Sequence, residues 1–263
     1  MYKYLINSLR KLFRKITGQN KAPSTFLIPE HTRVYCIGDI HGRDDLLESI
    51  HDKIILDSTG YSGEKILIYL GDYIDRGLHS KEVVDLLLNK PLEGFESIYL
   101  RGNHEQVLQD FLNIDSGIAT EWFNFGGLAT VLSYGVSVAG IPFGEKLNQL
   151  QHDLADKIPA SHLSFYSQLL YSYELGDYFF VHAGVKPKVA LDRQSELDMM
   201  WIRAEFLNSK YRYEKMIIHG HSVTNEPSVL ANRIGIDTGA YASGVLTCLV
   251  LEGEQRRFFA TSD

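Results

Sequence analysis

The 263-residue chain has few cysteines and no long apolar run. It has only two cysteines, Cys36 and Cys248, and both lie in apolar segments, which argues against a disulfide framework. No apolar run approaches the roughly 18 residues of a membrane-spanning helix, and the N-terminus has no apolar block of the signal-peptide kind. The chain has 44% hydrophobic and 22% charged residues, which excludes a disordered, collagen-like or coiled-coil protein. We expect a globular, cytoplasmic protein.

Acidic residues are absent from residues 1–21, which contain six lysines and arginines. The rest of the chain is therefore more acidic than the net charge of −7 indicates, and an acidic surface repels nucleic-acid phosphates. No nucleic-acid partner is expected. Apolar residues share one helical face of this segment, which predicts a short basic amphipathic helix: Leu5, Leu9, Leu12, Phe13 and Ile16. This helix either packs on its own domain or frays, or it binds a partner or a membrane surface. In the membrane case the protein would be membrane-peripheral.

Short apolar runs of strand length recur along the chain, and each is followed at once by a polar cluster containing glycine. They cover residues 34–37, 66–70, 98–100, 178–181 and 216–218. Helical patterns at residues 44–55 and 81–89 separate the first three. Strands alternating with helices predict an α/β fold, in which polar loops at the carboxyl ends of strands converge.

The segment at about residues 106–175 breaks this alternation, because residues 121–134 and 147–170 have mostly helical patterns. We interpret it as a helical cap inserted into the domain. Residues 233–253 alternate enough to predict a hairpin with its turn at residues 238–243. The expected organisation is an arm and linker over residues 1–32, followed by one domain over residues 33–263.

The polar clusters combine hard oxygen ligands with imidazoles. They are Gly38-Asp39-Ile40-His41-Gly42, Gly71-Asp72-Tyr73-Ile74-Asp75-Arg76-Gly77, Leu100-Arg101-Gly102-Asn103-His104-Glu105, His182-Ala183-Gly184 and His219-Gly220-His221. Such a set without cysteine suits manganese, iron or zinc and not a structural zinc or iron–sulfur centre. With this many candidates, two divalent ions are expected, and one carboxylate can bridge two ions that hold a hydroxide nucleophile. The planar fork of Arg76 suits a phosphoryl group.

These clusters resemble the motifs of PPP-type serine/threonine protein phosphatases, within the calcineurin-like metallophosphoesterases, and above all those of compact bacterial and phage members. The resemblance covers about residues 33–253, with the leading motifs in the family's order. It implies a β-sandwich flanked by helices with a helical cap insertion. It also implies a dinuclear centre, most simply of Mn²⁺, with iron, zinc or nickel as alternatives.

The resemblance also implies a role for each matching residue. Asp39 and His41 would hold the first ion, Asp72 would bridge, and the second ion would be held by Asn103, His182 and His221. The catalytic set would be His104 as general acid, Asp75 orienting its ring, and Arg76 and Arg203 binding phosphoryl oxygens.

Some assignments stay open at this stage. Chemistry alone does not separate His219 from His221, although the family's Gly-His-Ser/Thr pattern favours His221. Arg203 has an ordinary surface ion pair as its alternative. Arg101 and Glu105 are expected to brace their loop, residues 237–239 to form a turn, and Tyr241 to line the pocket. The remaining histidines are interpreted as surface residues: His31, His51, His79, His152 and His162.

The expected activity is that of a metal-dependent phosphomonoesterase. The family implies phosphoserine or phosphothreonine in proteins as the substrate, with phosphotyrosine and small phosphomonoesters also admitted. The alternative is a dinucleoside polyphosphate hydrolase resembling the symmetrical diadenosine tetraphosphatases. Those relatives typically lack the aspartate of the Asp-Arg-Gly segment, which this chain retains as Asp75-Arg76-Gly77. A binding module without catalysis would require ligand losses, and none is seen.

Overall fold

The computed structural model describes residues 25–138 and 145–263. The amphipathic helix predicted in residues 1–21 lies outside the described residues. None of the described helices combines the length and apolar character that crossing a membrane requires. Both cysteine thiols are free and buried.

Two five-stranded sheets form the centre of the molecule. Their strands are β1 (Thr32–Ile37), β2 (Glu64–Tyr69), β3 (Glu96–Tyr99), β4 (Ser172–Leu175), β5 (Tyr178–Val181), β6 (Met216–His219), β7 (Ser228–Val229), β8 (Arg233–Gly235), β9 (Thr247–Glu252) and β10 (Gln255–Ala260). The first sheet has the order β10-β9-β1-β2-β3, and the second has the order β4-β5-β6-β8-β7. Each sheet mixes parallel and antiparallel pairs.

Helices flank the sheets. The described α-helices are α1 (Asp44–Asp57), α2 (Ser80–Asn89), α3 (Asn103–Asn113), α4 (Ala119–Asn124), α5 (Gly127–Ser133), α6 (Glu145–Lys157), α7 (Ala160–Gln168), α8 (Glu196–Trp201), α9 (Ala204–Leu207) and α10 (Ala240–Ser243). Single 3₁₀ turns occur at Ser116–Ile118 and Leu191–Arg193. The helical insertion expected at about residues 106–175 corresponds to α3 through α7, and its last residues form β4.

Successive side chains of a strand point to opposite faces of its sheet, so that each sheet packs against a different core on each face. In β1, Val34 and Cys36 point into a core shared with strands of the second sheet, such as β5 and β6. Tyr35 and Ile37 point the other way, into a core shared with the helices that cover the first sheet. A third core lies between the second sheet and α8 and α9. Each fully buried aliphatic or aromatic side chain contributes roughly 1.5–3 kcal/mol. The result is a β-sandwich flanked by helices, which confirms the expected fold class.

The five predicted strands and the two predicted helices between them are confirmed, with bounds that differ by at most two residues. The hairpin predicted over residues 233–253 is wrong. β8 pairs in parallel with β6 in the second sheet, whereas β9 pairs with β1 and β10 in the first. Helix α10 occupies the predicted turn. Alternation marks a strand as half-buried but does not identify the strand with which it pairs.

The segment that precedes β1 packs on the sandwich. Phe26 and Ile28 are buried in the core between the sheets. Ile28 N donates to Gly253 O at 3.0 Å, and Asp177 N donates to Leu27 O at 2.9 Å. The described part of the predicted linker is therefore fixed to both sheets.

Two histidines that we interpreted as surface residues are buried, so that interpretation is wrong for them. His51 Nε2 lies 2.8 Å from the hydroxyl of Tyr69. His162 Nδ1 lies 2.8 Å from the hydroxyl of Tyr134. Each ring has a hydroxyl partner that satisfies its polar atom, which permits burial.

Candidate metal centre and phosphate site

The six expected metal ligands follow the carboxyl ends of strands from both sheets. Loops after β1, β2 and β3 carry four of them, and loops after β5 and β6 carry two. Parallel pairing of β1 with β2, β2 with β3, and β5 with β6 brings these loops to one end of the sandwich. All six side chains are at least 95% buried: Asp39, His41, Asp72, Asn103, His182 and His221.

The backbone of this region is strained. Seven described non-glycine residues have a positive φ, a conformation that costs free energy because Cβ approaches the following carbonyl. Five of them belong to the expected site: His41, Asp72, Asp75, Arg76 and His221. Strain of this kind persists where the surrounding structure imposes it, and it concentrates at functional sites.

The first ligand group consists of His41, Asp72 and His104, whose ligand atoms lie within 4.8 Å of one another. His41 Nδ1 is 2.8 Å from the carbonyl of Ile74. Because a carbonyl only accepts, Nδ1 carries the proton and Nε2 presents a lone pair. That lone pair lies 3.5 Å from Asp72 Oδ2, so two electron-rich atoms face each other.

The second ligand group consists of Asp72, His182 and His221. His182 Nδ1 donates to the carbonyl of Leu70 at 2.9 Å, which leaves a lone pair on Nε2. This atom lies 3.0 Å from Asn103 Oδ1, 3.2 Å from His221 Nδ1 and 3.4 Å from Asp72 Oδ1. The lone pair of His182 Nε2 thus faces the oxygens of Asn103 and Asp72 in a buried site, which fits a cation between them.

His221, and not His219, belongs to this group. The ring of His219 packs against Phe206 with centroids 5.1 Å apart, and its Nδ1 lies 3.0 Å from Gly220 O. The pattern-based preference for His221 therefore agrees with the geometry.

Asp39 lies beside the two groups but, among the described residues, does not belong to either set of ligand atoms within 4.8 Å. Its carboxylate accepts from His221 N at 3.0 and 3.2 Å. Gly220 permits this approach, because a Cβ there would lie 2.0 Å from Asp39 Oδ1. Burial raises the pKa of Asp39, and the charges of Asp237 and Asp72 raise it further, so a nearby cation would favour its ionised form.

The electrostatics of the site fit divalent cations. Burial lowers the pKa of His41 to about 3 and that of His221 to about 2, so both rings are neutral and can ligate. Neutral imidazoles with carboxylate and amide oxygens form a donor set suited to borderline divalent metals.

The expected acid pair, His104 and Asp75, overlaps the first group, because His104 belongs to both. His104 Nδ1 is 2.7 Å from Asp75 Oδ2, and His104 Nε2 is 3.4 Å from Arg76 Nη2. Burial lowers the pKa of His104, but Asp72 and the hydrogen-bonded Asp75 outweigh burial and raise it above its usual value. The pair can therefore hold a proton on a buried imidazole.

The two expected phosphate-binding arginines belong to different loops, after β2 and before α9. The Arg76 guanidinium lies 4.6 Å from the ring centroid of Tyr241, and the centroids of the Tyr241 and His41 rings are 5.5 Å apart. Tyr241 thus lines the site as expected. Arg203 is exposed at the start of α9, and its charge contributes to lowering the pKa of both His182 and His221. It is therefore close enough to act on the same region.

Glu105 and Arg101 brace the loops, as expected. The Glu105 carboxylate accepts from the backbone N–H groups of Gly102, Asp72, Tyr73 and Ile74 at 2.8 to 3.3 Å. Arg101 donates to Gln106 Oε1 and to the carbonyl of Tyr166. Glu105 therefore holds the loop after β2 against the start of α3.

Replacing Glu105 by glutamine is expected to destabilise the protein by about 2–4 kcal/mol. The amide NH₂ would face backbone donors, which leaves buried N–H groups without an acceptor. Urea unfolding of the purified variant measures the change. Glu121→Gln makes the same chemical change at an exposed position and should leave the unfolding midpoint unchanged. Equal midpoints for the wild type and Glu105→Gln would contradict the bracing role.

Sequence reasoning missed the groups that hold Asp75. Trp122 Nε1 and Thr130 Oγ1 donate to its carboxylate, and Ser80 Oγ accepts from its backbone N–H. The sequence feature that could have indicated them is Thr130, a polar residue among apolar residues in a predicted helix. Asp237, expected in a turn, accepts from Gly239 N at 2.9 Å and is buried beside the site, where burial raises its pKa to about 6.

The chain is similar to known proteins. A family model for calcineurin-like phosphoesterases matches residues 32–225. The chain is 22% identical over 238 residues to the asymmetrical bis(5'-nucleosyl)-tetraphosphatase PrpE of Bacillus mycoides, covering 81% of this chain and 88% of that protein. It is 38% identical over 108 residues to the serine/threonine-protein phosphatase PP2A-like PPG1 of Saccharomyces cerevisiae, covering 39% of this chain and 26% of that protein.

A crystal structure provisionally assigned as a diadenosine tetraphosphatase superposes with a TM-score of 0.56 at 21% identity, covering 90% of this chain and 98% of that one. This likeness supports the fold. With the family model spanning most of the sandwich, the chain belongs to the calcineurin-like phosphoesterases.

Proposed function

We propose that the protein is a two-metal phosphomonoesterase that acts as a serine/threonine protein phosphatase and also admits phosphotyrosine. The observation that carries the proposal is the shared position of Asp72. Its Oδ1 lies 3.4 Å from His182 Nε2, and its Oδ2 lies 3.5 Å from His41 Nε2 and 3.8 Å from His104 Nε2. One carboxylate thus connects the ligand groups to the acid pair.

The chemistry divides between the ions and the chain. When bound, two divalent cations, most simply Mn²⁺, would polarise the phosphoryl group and activate water for in-line attack. Asp39 and His41 would hold one ion, Asn103, His182 and His221 would hold the other, and Asp72 would contribute to both. Arg76 and Arg203 would bind phosphoryl oxygens through their N–H groups.

His104 completes the reaction. As the phosphorus–oxygen bond to the leaving group breaks, the proton on His104 Nε2 passes to the departing oxygen. Asp75 retains the hydrogen bond to Nδ1 and keeps the ring oriented. A serine or threonine alkoxide is a poor leaving group, so proton donation matters most for these substrates.

The second candidate is hydrolysis of dinucleoside polyphosphates. The name of the relative PrpE favours it, and that relative is matched over most of its length. The Asp75-Arg76-Gly77 segment favours the phosphatase, because Asp75 is built into the acid pair at 2.7 Å from His104. Both reactions would use the same metal groups.

A substrate panel separates the two candidates. Phosphoseryl, phosphothreonyl and phosphotyrosyl peptides are compared with diadenosine tetraphosphate, with manganese, nickel, zinc and magnesium supplied in turn. We expect a higher kcat/KM for the phosphopeptides, and the highest activity with manganese. A higher kcat/KM for the dinucleotide would assign the second function.

A further inference from the structure

The carboxylate of Asp75 is held by two side chains of the helical insertion. Trp122 of α4 donates its indole N–H to Oδ2 at 2.8 Å, and Thr130 of α5 donates its hydroxyl to Oδ1 at 2.5 Å. Asp75 itself is fully buried. Oδ2 is also the atom that accepts from His104 Nδ1 at 2.7 Å.

Both donors are fully buried. Trp122 is fully buried and packs against the rings of Phe111 and Phe123 at 5.1 and 5.9 Å. Gly127 permits this packing, because a Cβ there would lie 2.4 Å from the indole. The neighbouring loop also contacts the site directly, since Arg76 N donates to Gly126 O at 3.1 Å.

The chemistry of the two donors suits an orienting role. An indole N–H only donates, so Trp122 cannot compete with Asp75 for the proton of His104. The Thr130 hydroxyl accepts from Asp75 N at 3.0 Å while donating to Oδ1, so it binds the backbone and the carboxylate of one residue. Together they leave the carboxylate a single orientation toward His104. If Trp122 and Thr130 had only a packing role, a backbone carbonyl would satisfy their N–H and O–H groups equally well. Both donate instead to the carboxylate of Asp75.

We propose that Trp122 and Thr130 are positioning residues for proton donation by His104, so that the insertion forms part of the catalytic apparatus. This inference rests on the proposed phosphomonoesterase function. In the step concerned, the phosphorus–oxygen bond breaks and the proton of His104 Nε2 bonds to the departing oxygen, while Nδ1–H remains hydrogen-bonded to Asp75. A misaligned Asp75 would let the imidazole turn away from the leaving group.

The test compares two substrates that differ in their need for a proton. Phenyl phosphate releases a basic phenoxide, whereas p-nitrophenyl phosphate releases a stabilised anion that leaves without protonation. Trp122→Phe and Thr130→Val remove the N–H and the hydroxyl, respectively. Each should lower kcat on phenyl phosphate by about 10-fold and kcat on p-nitrophenyl phosphate by less than about 3-fold. The ratio of the two rates does not depend on the fraction of protein that is folded.

Two further variants serve as controls. Thr130→Ser retains the hydroxyl and should restore the wild-type ratio. Tyr134→Phe removes a buried hydroxyl from the same insertion, where it contacts His162 and Tyr166 and not Asp75, and should leave the ratio unchanged. Equal slowing on both substrates, or the same change of ratio in Tyr134→Phe, would overturn the inference.

A spectroscopic measurement keeps the inference separate from the proposed function. In protein labelled with ¹⁵N-histidine, the His104 Nδ1–H bonded to Asp75 should give a downfield proton signal that exchanges slowly with water. Trp122→Phe and Thr130→Val should shift or broaden it, and Tyr134→Phe should not. An unchanged signal would overturn the inference even if the wild type had no phosphatase activity. A changed signal without activity would reject only the proposed function.

Discussion

Asp72→Asn is expected to lose bound metal and activity together. Asp72 is shared by both ligand groups, and its two carboxylate oxygens lie within 3.8 Å of ring nitrogens of His41, His104 and His182. An amide offers one weaker oxygen ligand and places N–H donors where a cation would bind. Because metal ions contribute several kcal/mol to such hydrolyses, kcat/KM should fall by about 1,000-fold or more. Elemental analysis after dialysis against manganese, with an assay of the same sample, measures both effects.

A matched control separates ligation from the loss of a buried charge. Asp237→Asn removes a carboxylate that is also buried at this end of the sandwich but does not belong to either ligand group. It should retain both ions at saturating manganese. If Asp72→Asn kept two ions per chain, or if Asp237→Asn lost them equally, the bridging role of Asp72 would be wrong.

The fold and the position of the site could be predicted because their signals are local. A run such as residues 66–70 followed by Gly71-Asp72 contains both the strand and the turn that ends it. The parallel order of β1, β2 and β3 then brings Asp39, Asp72 and Asn103 to one edge. Convergence of the ligands followed from this order and did not require knowledge of side-chain contacts.

The errors concern contacts between distant parts of the chain. The pairing of β8 with β6 could not be read from residues 233–253, because alternation is the same whichever partner a strand has. His51 and His162 are buried because Tyr69 and Tyr134 supply hydroxyl partners 18 and 28 residues away in sequence. Burial of a polar side chain depends on such a partner, and a single sequence does not identify it.

Within the site, too, contacts between residues distant in sequence could not be predicted. Asp75 and His104 were predicted to act together through their resemblance to known motifs, and the structure places them 2.7 Å apart. The groups that orient Asp75 come from 47 and 55 residues along the chain, in a segment without a recognisable motif. Sequence patterns thus predict which residues act, but not which residues contact and orient them.

His104→Asn is expected to keep both ions yet slow turnover by roughly 100- to 10,000-fold, the range associated with loss of a general acid. His104 lies in the first ligand group, so ligation is the competing role. Its surroundings disfavour that role, because Nδ1 is occupied by Asp75 and Nε2 lies 3.4 Å from the cationic Arg76 Nη2. The decrease should be largest for phosphoserine and smallest for p-nitrophenyl phosphate. His79→Asn, at an exposed histidine paired with Asp44, should change neither rate nor metal content. If the His104→Asn variant instead lost its metal ions, His104 would be a metal ligand. The general acid for the departing oxygen would then be unassigned.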